Sequence, residues 1–133
     1  MNKKTEQQKE YIVFNGKKFI IEWYFDSKGK SAAQEYFESL SNDEQIKSLG
    51  LFELMGNVGV IKNKTKFNNE GDKIYAFKPQ PHRFLCFFFS GGKIIVTNAF
   101  HKKTTKLPTG EKKRALKCKE DYEVRLNRGD YYD

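Results

Sequence analysis

The chain has 133 residues, a formal net charge of +8 and two cysteines. That length supports one hydrophobic core and leaves no room for a second. No stretch is apolar for long enough to span a bilayer or to act as a signal segment, so a cytoplasmic protein that does not use a membrane is expected.

Residues 1–10 are polar and without periodicity, which predicts a flexible leader. Tyr11 to Phe14 and Lys17 to Phe25 are β-rich runs on either side of Asn15-Gly16, a dipeptide suited to the positive-φ turn of a tight hairpin. Ser31 with Gln34 matches a capping box, and Ala33, Tyr36, Phe37 and Leu40 form the apolar stripe of the helix it opens. Ser41 with Glu44 repeats the signature. The second helix it starts carries Ile46, Leu49, Leu51, Phe52, Leu54 and Met55, and is expected to end at Gly56, with Asn57 to Gly59 as the stop. The two would form a helical hairpin.

Three strands are predicted next: Lys73 to Lys78, His82 to Phe89 and Lys93 to Phe100. The connections at Pro79 to Pro81 and Ser90 to Gly92 are too short for parallel crossovers, so the strands form an antiparallel meander. The middle run is apolar on both faces and should be covered on each side. Pro108 to Arg128 then reads as a helix, buried along Ala115, Cys118, Tyr122 and Leu126, with Lys113, Arg114 and Lys117 facing solvent. The prediction is one α+β domain over residues 11–128, its helices on one face of a twisted sheet, followed by a tail at 129–133 where Tyr131 and Tyr132 could stack on bases.

The charge is placed unevenly. His101 to Lys119 holds eight Lys or Arg against the single Glu111, +7 of the total, while the remainder nearly balances. Such a run gains free energy by displacing the counterions condensed on phosphates, which points to nucleic acid, although a solvated helix face would show the same composition. Cys86, Cys118, His82 and His101 lack the spacing of a zinc site, so no metal and no cofactor is expected and the cysteines read as reduced core residues.

Lys78 and Arg83 bracket a four-residue connection. In the simplest hairpin register they lie opposite one another, an arrangement that repels unless an anion sits between them. They are the candidates for contact with a scissile phosphate, Arg83 foremost because a guanidinium grips phosphate through paired hydrogen bonds. His101 is a candidate base because an unperturbed imidazole exchanges protons near neutrality, at about 6.5. Of Lys102 and Lys103 only one can face the same cleft if the strand persists. Lys103, Lys106, Lys112, Lys113, Arg114 and Lys117 are the remaining candidates for RNA or ribosome contact.

Several short segments, in order, resemble the HigB-like toxins of the RelE/ParE superfamily, in a phage-derived branch. They are Asp26 to Ser31 with Glu35-Tyr36-Phe37 and Leu40; Ile74 to Lys78; Arg83-Phe84-Leu85; Ala99 to Thr104 with Pro108; and Ala115 with Asp121-Tyr122. The resemblance covers about Phe19 to Arg125. It implies a RelE-like fold and the toxin of a toxin–antitoxin pair, an endonuclease that cuts mRNA on the ribosome without a metal and leaves a 2′,3′-cyclic phosphate. It also implies a cognate helix-turn-helix antitoxin as partner. On this resemblance the family's arginine falls at Lys78, its strand arginine at Arg83, its Lys-Lys pair at Lys102-Lys103 and its late tyrosine at Tyr122. Ala76 stands where a glutamate is usual, and His101 where an apolar residue is common. Two other readings stay open: a ParE-type gyrase inhibitor, which would lack the basic cleft, and a catalytically silent nucleic-acid-binding phage protein.

Overall fold

A computed structural model describes residues 9–103 and 108–132. The elements in chain order are β1 Ile12–Asn15, β2 Ile20–Trp23, α1 Ala32–Glu38, α2 Asn42–Val58, β3 Phe67–Asn69, β4 Tyr75–Phe77, β5 His82–Phe89, β6 Lys93–His101 and α3 Thr109–Arg128. The strands form one six-stranded sheet in the order β1-β2-β6-β5-β4-β3. β4, β5 and β6 pair antiparallel in series, as their short connections require, and β2 lies parallel to β6. The sheet therefore exceeds the expected three-stranded meander: the opening hairpin joins it through β2, and β3, three residues of which only Phe67 is apolar and too short to show an alternation, extends the far edge.

β1 and β2 pair antiparallel, but not through an Asn-Gly turn. Gly16 keeps a negative φ. It is glycine for another reason: a Cβ there would lie 2.3 Å from the carbonyl carbon of Gly56. The turn lies against α2, and the amides of Lys18 and Phe19 donate to the Gly56 carbonyl at 2.7 and 2.9 Å.

Both helix-start signatures cap as their chemistry demands. The Ser31 hydroxyl accepts from the Gln34 amide, and Ser41 and Glu44 form the full reciprocal box. α2 continues past Gly56 to Val58 and stops at Gly59, whose φ of 90° is readily available only to glycine. Ile46 and Leu54, read as members of the buried stripe, are exposed; Leu51, Phe52 and Met55 make the contact with the sheet.

The helices cover both faces of the sheet, not one. α1 and α2 pack with Trp23, Phe77, Phe84, Cys86 and Val96, while α3 packs with Leu85, Phe87, Ile95 and Phe100 through Ala115 and Tyr122. Alternate β5 side chains thus enter two cores, which is why its whole apolar run is needed. Cys86 and Cys118 are unbridged, and burial raises both thiols, Cys118 to about 12, so neither is a reactive thiolate.

Tyr131 and Tyr132 are also structural. Tyr131 is 1% exposed and its hydroxyl accepts from the Phe25 amide at 2.9 Å, and the Tyr132 hydroxyl donates to Glu22 at 2.6 Å. Both rings close the α3-side core and are unavailable for stacking on bases as a free tail would be.

A β-bulge sets the direction of the chain end that matters most. Leu85 pairs with Asn98 but Cys86 with Val96, so Thr97 is an extra residue in β6. The Thr97 hydroxyl lies 3.2 Å from the Leu85 carbonyl, and Asn98 donates to both the carbonyl and the side chain of Glu111 at 3.1 Å, pinning the first turn of α3. The bulge also shifts the alternation: Ile94 and Val96 share a face with Ala99, whereas Ile95 shares one with Phe100.

Candidate nucleic-acid interface

The bulge places the end of β6 so that Phe100 and Lys102 follow the α3 face, the face of Arg83 in β5. Without it, the even-numbered Lys102 would have followed Ile94 and Val96 to the other side. The Lys102 amide continues the ladder by donating to the Pro81 carbonyl at 2.9 Å. The β4–β5 ladder ends at the Phe77–Phe84 pair, and Lys78 and Arg83 are the residues that flank the connection next to it. The connection between them contains a cis Gln80–Pro81 bond. Lys78, Arg83 and Lys102 lie together at one end of the sheet, near enough for the charges of Arg83 and Lys102 to act on Lys78.

Their surroundings are unusual for cations. Arg83 is 8% exposed, and its Nη1 donates to the Gln80 side chain at 3.1 Å and to the His82 carbonyl at 2.9 Å. Its Nε is buried and, among the described residues, has no hydrogen-bond partner. The Lys78 ammonium donates to the Lys64 carbonyl at 3.2 Å and sits 3.8 Å from Glu70. Burial pulls the pKa of Lys78 down, and the charges of Arg83 and Lys102 push the same way against the opposing pull of Glu70. Burial likewise lowers Arg83, again opposed by Glu70. Burying a charge without full pairing is costly, so an arginine with an unsatisfied N–H beside two lysines is an arrangement that an anion would stabilise.

His101 goes elsewhere. It pairs with His82 across β5 and β6, the two rings 5.7 Å apart, on the α1/α2 side of the sheet. His82 itself is buried and bonded at both nitrogens: Nδ1 to the Tyr36 hydroxyl at 2.6 Å and Nε2 to Glu44 at 2.8 Å. The His82 bond, with those from Ser41, holds the Glu44 carboxyl down at about 2. Burial raises Tyr36, and the Glu44 charge adds to it. This chain clamps α1 and α2 to the end of the sheet and leaves His101 exposed and across the sheet from Arg83.

The remaining basic residues divide. Lys103 is exposed beyond β6, and Lys106 lies outside the described residues. Lys112 pairs with Asp72 at 2.9 Å. Lys113 is exposed and lines an open depression with Glu70, Asp72, Thr109 and Leu116, next to the convergence of cations. Arg114 and Lys117, also exposed, line a separate depression with Tyr24, Asp26 and Asp121. Tyr122 is fully buried and belongs to the core. The residues missed by the sequence reading are Glu70, Gln80 and the Tyr36–His82–Glu44 chain. Glu70 lies in a polar stretch with no periodicity, and nothing in its local sequence distinguishes it.

Among the described residues, no group of three or more His, Cys, Asp or Glu is placed to hold a metal ion, and no helix is long and apolar enough to cross a membrane. The molecule is thus an α+β domain with Lys78, Arg83 and Lys102 at one end of its sheet. Residues 35–120, more than half of the chain, match the family described as Phage derived protein Gp49-like (DUF891). The protein belongs to this phage-derived family, which is RelE- and toxin-like. No curated protein matches it significantly.

Proposed function

We propose that the protein is the toxin of a toxin–antitoxin pair, HigB-like in type, and that it cuts mRNA on the ribosome at the Lys78–Arg83–Lys102 site. The observation that carries this reading is Arg83: a buried guanidinium with an unpartnered Nε, set between two lysines. Cleavage of RNA by its own 2′-hydroxyl builds negative charge on the phosphorane, and fixed cations in a partly dry site stabilise that charge with little reorganisation. Alignment of the 2′-oxygen with the leaving 5′-oxygen supplies much of the rest of the rate. The products are a 2′,3′-cyclic phosphate and a 5′-hydroxyl.

Lys103, Lys113, Arg114 and Lys117, exposed around the same end and along α3, suit the surrounding RNA backbone. A helix-turn-helix antitoxin is the expected partner, and the cytoplasm the expected compartment.

The test is a programmed bacterial ribosome carrying mRNA, with cut sites mapped by primer extension. Arg83→Ala should cut roughly 100- to 1,000-fold more slowly than the wild type, the cost of removing one transition-state donor. Intact message in every lane would instead shift the weight to binding without cleavage.

A further inference from the structure

Proton transfer at this site needs a group to take the 2′-hydroxyl proton and one to supply the 5′-oxygen. His101 lies across the sheet from Arg83, on the α1/α2 side. Glu70 is the carboxylate that Lys78 and Arg83 both feel. Its side chain is only 16% exposed, its Oε2 is 3.8 Å from the Lys78 ammonium, and it also lines the open depression toward α3. It adjoins the Lys78 ammonium on one side and the depression on the other.

The loop fixes it there. The Glu70 amide donates to the Ile74 carbonyl at 2.8 Å, and the Asn69 side chain accepts from the Gly71 amide at 2.9 Å. Gly71, Asp72 and Lys73 take φ values of 93°, 54° and 66°, three left-handed residues in a row, two of them not glycine. Such a run persists only where surrounding contacts hold it. One of those is the Asp72–Lys112 ion pair to α3.

Resting on the endonuclease reading, we propose that Glu70 accepts the proton of the attacking 2′-hydroxyl and that Lys78 protonates the leaving 5′-oxygen. The 2′-oxygen bonds to phosphorus as its proton passes to the Glu70 carboxylate. The bond from phosphorus to the 5′-oxygen breaks as that oxygen takes a proton from the Lys78 ammonium. Glu70 is then a neutral acid and Lys78 a neutral amine, and transfer of one proton across the short gap between them restores both. No oxidant, metal or further reactant is consumed. Burial and the neighbouring cations make Lys78 a readier donor than an ordinary lysine, in keeping with the acid role.

The test uses the full chain on programmed ribosomes, with RNA binding and thermal unfolding measured in parallel. Glu70→Gln keeps the shape and should cut about 100-fold more slowly or worse, and bind RNA no more weakly than the wild type. Lys78→Met should be slow on ordinary message but regain most of its rate on RNA with sulfur in the bridging 5′ position, whose departure needs no acid. Glu70→Gln should stay slow on that same RNA. A Glu70→Gln protein that cuts within about threefold of wild type, or that is slow only because binding fails, overturns the assignment and leaves the endonuclease reading standing. Message left intact by the wild type itself overturns both.

Discussion

Two arginines, Arg83 and Arg125, are equally buried, each 8% exposed, and both face α3's side of the sheet. Arg125 is saturated. Its Nε donates to Asp121 at 2.8 Å, its Nη2 reaches Asp121 at 2.7 Å and the Phe25 carbonyl, and its guanidinium lies 4.7 Å from the centre of the Tyr131 ring. Burial would lower its pKa, but the bond to Asp121, with help from Tyr24, outweighs this and the net direction is upward. Among the described residues Arg83 has two neutral acceptors, no bonded carboxylate and an Nε without a partner, and its pKa goes down. Burial alone therefore says nothing about role. What separates a structural arginine from a ligand-ready one is whether its hydrogen-bond capacity is already spent.

That contrast can be broken by substitution. The largest effect expected is on stability at Arg125: Arg125→Met should cost about 3 kcal/mol in urea unfolding, because it strips Asp121 and the Phe25 carbonyl of their partner and removes packing from Tyr131. Arg83→Met should change stability by less than about 1 kcal/mol, in either direction, since an incompletely paired buried charge gives way to an apolar side chain. If Arg83→Met were the more damaging of the two, Arg83 would be structural. A smaller effect concerns single-stranded RNA: Lys102→Ala should reduce the slope of log affinity against log salt by about 0.7, and Arg125→Lys should leave it unchanged.

The smallest effect separates the two faces of the same sheet end. The Glu44 carboxyl falls from an ordinary 4.5 to about 2 in the folded protein. A depressed carboxyl stabilises the fold above its unfolded pKa, and that contribution is lost as pH falls through the folded value. Stability should thus decline between about pH 4.5 and 2, and Glu44→Gln should flatten that part of the profile. Cleavage measured near neutrality should be insensitive to Glu44→Gln, because the Tyr36–His82–Glu44 chain lies across the sheet from Arg83.

Local chemistry was legible where one segment contains its own cause. The Ser31 and Ser41 caps, the short connections that force β4, β5 and β6 to run antiparallel, and the doubly apolar β5 all follow from neighbours in the chain. What could not be read depends on distant contacts. Gly16 answers to Gly56 across a helix, Tyr131 answers to Phe25, and the short strand β3 exists because β4 offers it an unpaired edge.

The candidate site shows the same division. Residue types and their clustering, Lys78, Arg83 and Lys102 among many basic residues, were fixed by the sequence itself, because charge and hydrogen-bonding capacity belong to side chains. Which of these share a face was decided by tertiary structure alone: one extra residue at Thr97 reverses the alternation of β6, turning Lys102 toward Arg83 and His101 away. Glu70 entered only through a left-handed loop anchored to α3, a conformation that polar residues adopt when long-range contacts hold it and that no periodicity announces.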